Sequence, residues 1–423
     1  MRIVLFTGKG GVGKTTSAAA CAVRAARSGS RTLVMSTDAA HSLADALDVA
    51  LTAGEPVEVE PRLHALQVSA PGRVGTEWRV VQDYLLEVLD TLGIDPVVAE
   101  DLTSLPGAEE IVTLLELRTR AESASWDLVV VDCAPTAETL RLLALPEALA
   151  WHLERLLPAQ RGLMRTLRPA AGAAAGMPLP SSEVASAVSR WYRQMRDVHV
   201  LLTGPSASMR LVVTPERLVI AEARRTWTSL ALYGFAVDGV VVNRVIPSDG
   251  PDHGDGWRRS WNAAQRAGLD EVAESFDGLP VVRAPYLDGE PIGRDALDNL
   301  AQLVDGDVAT EDDPLGLLRP VRNGRQARLR VRRSEAGYVL SLPLPLVAAA
   351  QVDLKRRAGE LLIVVGEHRR VLSLPAVLQR CVVRGARVHD GTLTVNFEPD
   401  PDLWPVPGEP IDAGHGMRGV AHG

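Results

Sequence analysis

Lysine is nearly absent from this chain of 423 residues. Of its 45 basic side chains, only Lys9, Lys14 and Lys355 are lysine, so arginine supplies almost every other cation. Two of the three lysines lie five residues apart near the N-terminus. A narrow backbone loop accepts the compact ammonium of lysine but not a planar guanidinium. We therefore interpret Lys9 and Lys14 as positions that require an ammonium.

Cysteines and long apolar runs are also scarce. The three cysteines, Cys21, Cys133 and Cys381, show no C-x-x-C spacing, which argues against a zinc site and indicates a reducing compartment. No uncharged apolar stretch approaches about 18 residues, so we predict no transmembrane segment. Met1 leads directly into a predicted strand, so we also predict no signal peptide and a cytoplasmic location.

Charge is distributed unevenly. Residues 321–398 hold 14 Lys and Arg against 6 Asp and Glu, whereas the whole chain has a net charge of −8. This shift predicts a domain boundary, with the acidic stretch 305–319 as the linker. The basic region has one Tyr and one Phe. We favour a solvated sheet face over a nucleic-acid site, because base stacking needs aromatic platforms.

Short apolar strand patterns alternate with helical patterns over the first 305 residues. Most strand patterns are continuously apolar, as in a parallel sheet that is covered on both faces. We predict a doubly wound, mostly parallel α/β fold with its ligand at the carboxyl ends of the strands. The predicted strands are 2–7, 31–36, 63–68, 127–132, 209–214, 237–243 and 279–284, and the predicted helices are 15–27, 74–92, 108–121, 137–145, 216–232 and 257–276.

A glycine-rich loop separates the first predicted strand from the first predicted helix. Its sequence, GKGGVGKTT, matches the phosphate-binding pattern G-x-x-x-x-G-K-[ST] at every position. In such a loop, backbone N–H groups surround the phosphates, the lysine reaches the β- and γ-phosphates, and the hydroxyl binds Mg²⁺. A chance glycine-rich turn is disfavoured by the strand and helix on either side. The predicted nucleotide ligands are Gly8, Gly10, Gly11, Val12, Gly13, Lys14, Thr15 and Thr16, with Thr15 also a metal ligand.

The additional lysine of the loop, Lys9, narrows the class of nucleotide-binding protein. GKGGVGKT, with Lys9 ahead of Lys14, resembles the deviant Walker A motif of dimeric ATPases. These include the arsenite-pump ATPase, the guided-entry ATPase for tail-anchored proteins, MinD and nitrogenase iron protein. The resemblance implies an ATP-binding homodimer in which Lys9 reaches the partner's nucleotide as a catalytic group beside Lys14. The alternative is that Lys9 is a solvated surface cation.

Carboxylates follow two of the predicted strands at the edge where the ligand is expected. Asp132 ends one strand and is a Walker B candidate that would hold Mg²⁺ through water. The stretches beginning STDAAHSL at Ser36 and DCAPTAETLR at Asp132 resemble switch I and switch II of the arsenite-pump and guided-entry ATPases. That resemblance gives Asp38 the role of activating the attacking water, whereas an isolated Asp at a strand end is more often a helix N-cap. Cys133 departs from the family, which has Thr there.

Two later segments resemble the base-binding side of the same family. They are VVVNRVIP, which contains Asn243, and APYLDGEPIG, which contains Pro285 and Tyr286. The resemblance makes Asn243 the adenine ligand, and a carboxamide can pair with both a donor and an acceptor on the base. Pro285 and Tyr286 stand in the family's last adenine-contacting loop.

A helical insert is predicted at about 146–208. Four of the chain's seven methionines lie at 164–209, and methionine-rich apolar faces suit promiscuous hydrophobic binding. In the family that the chain resembles, an insert at this position suggests binding of client proteins. The alternative is that the apolar faces pack on the sheet. The two faces are Leu153, Leu156, Leu157, Met164 and Leu167, and Val184, Val188, Trp191, Met195, Val198 and Leu202.

The C-terminal region shows seven short strand patterns between residues 328 and 397, divided by turns such as Asp390-Gly391. They predict an all-β sandwich that resembles the α-crystallin domain of small heat-shock proteins. The I-x-I anchor of that family is missing from Trp404 onward, which argues against its large oligomers.

Together these patterns predict an ArsA-like P-loop ATPase domain at 1–304, a linker at 305–320, an α-crystallin-like β-sandwich at 321–400 and a flexible tail at 401–423. The favoured function is an ATP-hydrolysing, Mg²⁺-dependent homodimeric switch that couples nucleotide state to binding of hydrophobic protein segments, with a membrane-bound receptor as a further candidate partner. The alternative is the energising ATPase of an anion or arsenite exporter, although three cysteines are few for metalloid sensing. A MinD-like surface role is disfavoured because a terminal amphipathic basic helix is missing.

Overall fold

The computed structural model describes residues 1–36, 42–52, 54–68, 76–91, 95, 108–123, 125–132, 181–247, 256–306, 329–357 and 359–403. Strands and helices are interspersed in the described residues up to residue 306. The elements are β1 (Arg2–Thr7), α1 (Lys14–Arg27), β2 (Thr32–Ser36), α2 (Ser42–Leu47), β3 (Val57–Glu60), β4 (Leu63–Gln67), α3 (Thr76–Thr91), α4 (Ala108–Glu122), β5 (Leu128–Asp132), α5 (Ser182–Leu202), β6 (Ala207–Val213), α6 (Arg217–Leu232), β7 (Val237–Val245), α7 (Gly256–Ser275), β8 (Val281–Pro285), α8 (Arg294–Gln302) and β9 (Asp305–Gly306).

Nine strands form one large sheet in the order β3-β4-β2-β5-β1-β6-β7-β8-β9. All neighbours are parallel except β3–β4 and β8–β9, which lie at the two edges. Every residue of β1, β2, β5 and β6 is buried, as their continuously apolar sequences predict for central parallel strands. The predicted doubly wound α/β fold is confirmed.

Within the described residues up to 306, four short elements occur that were not predicted from the sequence. They are β3, β9, α2 and α8. β3 has the sequence VEVE, in which glutamates break the apolar run, and β9 has two residues. β9 also extends the large sheet two residues into the predicted linker. The rest of that linker, the predicted helix 137–145 and the tail beyond Leu403 lie outside the described residues, so the proposed domain boundaries stay a prediction.

Helix α5 carries the second predicted apolar face of the insert. It begins at the N-cap Ser181, whose side chain accepts a hydrogen bond from the Val184 backbone N–H at 3.2 Å. Val184, Met195, Val198 and Leu202 are all buried, and the helix packs against α3 and α4. Val188 and Trp191 of the same face are half-buried, so most of this face, but not all of it, is packed inside the protein. The first predicted face, at 153–167, lies outside the described residues.

Buried charges connect β1, β6 and β7. Arg2 and Arg210 place guanidinium nitrogens 2.8 and 3.0 Å from the Asp238 carboxylate, and all three side chains are less than a tenth exposed. Burial alone would raise the pKa of Asp238, but the two guanidinium groups outweigh it and hold the pKa below its ordinary value.

Two antiparallel sheets make up the C-terminal region. One has the order β10-β11-β16-β15, and the other has the order β12-β13-β14. Apolar side chains from both sheets share one buried cluster, so the region is a β-sandwich, as predicted. The elements are β10 (Arg330–Ser334), β11 (Gly337–Pro343), β12 (Val352–Arg357), β13 (Glu360–Val365), β14 (His368–Ser373), α9 (Ala376–Gln379), β15 (Cys381–His389) and β16 (Thr392–Pro399).

The β-sandwich is docked on the C-terminal end of α6. Leu232, the last residue of that helix, is fully buried and belongs to the apolar cluster of the sandwich. A guanidinium N–H of Arg370 donates to the Leu232 carbonyl. The Tyr233 hydroxyl donates to the Arg369 carbonyl at 3.2 Å, and the Thr228 hydroxyl donates to the Pro345 carbonyl at 2.9 Å.

None of the helices in the part of the chain that the structure describes is both long and apolar enough to cross a bilayer. Within the same residues, no cluster of three or more His, Cys, Asp and Glu side chains could hold a metal ion.

Candidate nucleotide-binding site

The glycine-rich loop follows β1, at the centre of the large sheet, and leads into α1. Two of its glycines are required by close approaches of the chain. A Cβ on Gly8 would lie 2.3 Å from the Val212 carbonyl oxygen, and a Cβ on Gly13 would lie 2.2 Å from the Asn243 amide nitrogen. Gly13 also has φ of 91°, a left-handed conformation that favours glycine. These contacts hold the loop against the ends of β6 and β7.

Both loop lysines contact groups of their own chain. Lys14 Nζ donates to the Lys9 carbonyl oxygen at 3.2 Å. Lys9 Nζ lies 3.5 Å from Glu222 Oε2 on α6, and both side chains are 42% exposed. An ion pair as exposed as this contributes about 0–1 kcal/mol, so a bound phosphate can compete for the ammonium.

Three hydroxyl groups and one carboxylate meet where β1, β2 and β5 end. The Thr15 hydroxyl donates to Asp132 Oδ2 at 2.6 Å and lies 3.4 Å from the Ser42 hydroxyl. The Ser36 hydroxyl donates to the same carboxylate oxygen at 3.3 Å. Asp132 is 3% exposed. Oxygen ligands of this kind suit Mg²⁺, which keeps several waters and binds one or two protein groups beside substrate phosphates.

Asn243 supports the loop with its side chain. Its amide nitrogen donates to the Val12 carbonyl at 2.8 Å, and its amide oxygen accepts from the Arg244 backbone N–H at 2.9 Å. Arg244 has φ of 59°, which is unusual for a residue with a side chain. A carboxamide has a further N–H and a further lone pair, so these bonds leave capacity for a base.

A cavity of about 230 Å³ opens beside Asn243. Gly13, Thr16, Pro285 and Tyr286 line it, and so do residues that the sequence analysis did not select, among them Arg244, Asp288 and Glu290. The structure thus brings the loop, Asn243 and the predicted Pro285–Tyr286 segment around one space.

One predicted site residue, Asp38, lies outside the described residues, as does most of switch II beyond Asp132. The sequence analysis missed Ser36, Ser42 and Glu222. The two serines flank Asp38 in the switch I segment, so their position could have suggested them. The sequence pattern gives no signal that Glu222 pairs with Lys9. The two residues are far apart in the sequence, and only the folded chain brings them together.

The fold and the loop define a P-loop nucleotide-binding protein. A family model described as anion-transporting ATPase matches residues 1–306, and an HSP20-like domain found in ArsA proteins matches residues 335–397. The chain therefore belongs to the ArsA family of anion-transporting ATPases, and it is an ATPase with an HSP20-like domain at its C-terminal side.

Relatives match either nearly the whole chain or about two thirds of it. An uncharacterized protein of Streptomyces coelicolor is 39% identical over 96% of this chain and 99% of its own length. A Chlorobaculum tepidum protein that carries the provisional name arsenical pump-driving ATPase is 33% identical over 94% and 96%. The ATPase ASNA1 homolog of Trypanosoma cruzi is 30% identical over 71% of this chain and 90% of its own length.

Proposed function

We propose that this ATPase is a homodimeric switch that couples its nucleotide state to the binding of hydrophobic protein segments. The observation that carries the proposal is the pair of loop lysines. Lys14 lies where the phosphate-binding pattern expects it, whereas Lys9 points away to Glu222, with 42% of its side chain exposed. An exposed ammonium beside the loop suits a second function across an interface.

The residues at the ends of β1 and β5 fit ATP with Mg²⁺. Lys14 would bind the β- and γ-phosphates, and the Thr15 hydroxyl would be a direct metal ligand, with Asp132 orienting a water of the ion. Mg²⁺, when bound, would neutralise charge on the phosphates. Asp38 is proposed as the group that accepts the proton of the attacking water, because an in-line water needs a positioned acceptor.

The base would occupy the cavity beside Asn243. Its amide would contact adenine while continuing to brace Val12, so that base binding and loop geometry depend on one side chain. Pro285 and Tyr286 would border the base on the open side, and Tyr286 is exposed enough to close on it.

The HSP20-like domain favours protein segments as the ligands that respond to the nucleotide. The alternative is the energising subunit of an anion exporter, which the name of the Chlorobaculum tepidum relative suggests. Metalloid sensing would need thiols that can converge. Cys21, on α1, and Cys381, at the start of β15, are both buried in separate apolar clusters.

Mixing two inactive variants tests the dimeric switch. Lys9→Ala should retain binding of a fluorescent ATP analogue but lose most ATPase activity, and Lys14→Ala should lose nucleotide binding. In a mixed dimer, the intact loop of one chain faces a partner that supplies Lys9, so activity should partly recover. Lys355→Ala is the matched control, because that lysine forms only a surface pair with Asp353.

Absence of recovery, with exchange of subunits demonstrated by mass spectrometry, would refute the cross-dimer role of Lys9. If Lys9→Ala alone keeps full activity, the residue is a solvated cation and the switch loses its main support.

A further inference from the structure

Helix α6 makes one contact toward each of its ends. Glu222, in its N-terminal half, pairs with Lys9 of the phosphate loop. Leu232, its last residue, is buried in the core of the β-sandwich. Ten residues of helix span about 15 Å. One rigid element therefore contacts both the loop that receives the nucleotide and the domain that follows it.

The contact with the β-sandwich stabilises the C-terminal end of α6. Arg370 is 5% exposed and donates to the carbonyl of Leu232. The last carbonyls of a helix have no partner within it and carry partial negative charge, so a buried guanidinium satisfies both needs. Gly234 follows with φ of 86°, and a Cβ there would lie 3.6 Å from the Arg370 guanidinium. The sandwich thus caps α6.

The contact with the loop is one that a nucleotide would disturb. Lys14 donates to the carbonyl of Lys9 at 3.2 Å, and bound phosphates would compete with that carbonyl for the ammonium. In the proposed dimer, the phosphates bound by the partner chain attract the Lys9 side chain and compete with Glu222 for the ammonium. Binding therefore changes the charge that faces α6.

We propose that α6 couples occupancy of the nucleotide site to the β-sandwich. With an empty loop, Glu222 holds Lys9 and the helix keeps the position that Arg370 caps. When the phosphates take Lys9, the carboxylate is released and the contact between α6 and the sandwich changes. The inference rests on the proposed function for the role of Lys9. Coupling between two sites is reciprocal, so a change at the sandwich contact must alter nucleotide affinity.

A double-mutant cycle tests this coupling in the full chain. Glu222→Gln removes the charge that holds Lys9, and Tyr233→Phe removes only the hydroxyl that donates to the Arg369 carbonyl. Substitutions more than about 10 Å apart that share no partner have effects on affinity that multiply within about twofold. We expect Tyr233→Phe to change the Kd of a fluorescent ATP analogue with Mg²⁺ about threefold or more in the wild-type background, and to change it little in the Glu222→Gln background.

A second cycle provides the matched control. Arg384→Gln removes a surface ion pair with Glu398 on β15 and β16, away from α6. Its effect on the Kd of the ATP analogue should be the same in the wild-type and Glu222→Gln backgrounds, so that the two effects multiply. If Tyr233→Phe fails to fold, Thr228→Val removes another hydrogen bond of the same contact and takes its place. Hydrogen exchange of β14 should respond to the nucleotide in the wild type and lose that response in Glu222→Gln.

Two results would overturn the inference in different ways. Independent effects in the first cycle, together with recovered activity in the mixture of Lys9→Ala and Lys14→Ala chains, would remove the coupling and leave the proposed function standing. No recovery in that mixture would remove the proposed function, and this inference with it.

Discussion

The Thr15 hydroxyl donates a hydrogen bond of 2.6 Å to the Asp132 carboxylate across 117 positions of sequence. The contact joins the start of α1 to the end of β5, so the hydroxyl that we propose as a metal ligand lies next to the carboxylate that we propose to orient a water of the ion. We expect Asp132→Asn to raise the Mg²⁺ concentration needed for half-maximal ATPase activity about 10- to 100-fold, because groups that orient metal ligands have effects of that size. Titration of activity with Mg²⁺ checks this.

Ser36→Ala is the control for that experiment, since it removes only the longer bond of 3.3 Å to the same carboxylate. It should have a smaller effect on the Mg²⁺ dependence. An unchanged dependence in Asp132→Asn would contradict the metal role of this residue.

Asp38 is the group to which we assign activation of water. Asp38→Asn should bind the fluorescent ATP analogue normally and lower turnover about 10²-fold or more, which is typical for loss of a general base. Single-turnover kinetics separate the two steps. Asp45→Asn, on the exposed side of α2, is the control and should keep its activity. Near-normal turnover in Asp38→Asn would assign the residue to helix capping instead.

Helix α5 offers a test of whether its apolar face is structural. Met195 is fully buried, whereas Val200 on the same helix is 61% exposed. Met195→Ala should lower the free energy of unfolding by about 2–5 kcal/mol, as for other large-to-small core substitutions. Val200→Ala should change it by about 0.5 kcal/mol or less. Urea denaturation measures both, and equal stability of the two variants would indicate a face that is free to bind clients.

The buried Asp238 should make stability depend on pH. Its pKa in the folded state lies below the ordinary value, so the stability that its ionisation provides is present above that ordinary value, near pH 4, and is lost as the pH falls through the folded pKa. Asp238→Asn should cost about 3 kcal/mol at pH 7, because it leaves two buried guanidinium groups without their partner. The difference from wild type should shrink below about pH 4.

Urea denaturation at several pH values measures that difference. Asp353→Asn, which alters only a surface pair with Lys355, should show little change at any pH. If Asp238→Asn lowers the free energy of unfolding by the same amount down to acidic pH, the pKa of Asp238 is not lowered in the folded protein.

The sequence predicted the parts of the fold that local pattern determines. Central strands such as β1 and β5 are continuously apolar and were placed within a residue or two, and the loop motif located Lys14 and Thr15. The pattern could not predict contacts that only the assembled fold creates. The pairing of Lys9 with Glu222 and the burial of Leu232 in the other domain are of this kind. The second apolar face of the insert was ambiguous because buried and client-binding helices share one periodicity.

The fully buried position of Leu232 has a consequence for how this protein can be divided. The predicted linker divides the sequence into two regions, but these regions are not independently complete domains. A sandwich produced without the preceding region would expose the apolar surface against which Leu232 packs. The preceding region produced without the sandwich would lose the Arg370 cap of α6. Exchanging the sandwich for that of a relative would succeed only if both surfaces were transferred together. The two modules thus depend on one another for a complete apolar core and for a capped helix.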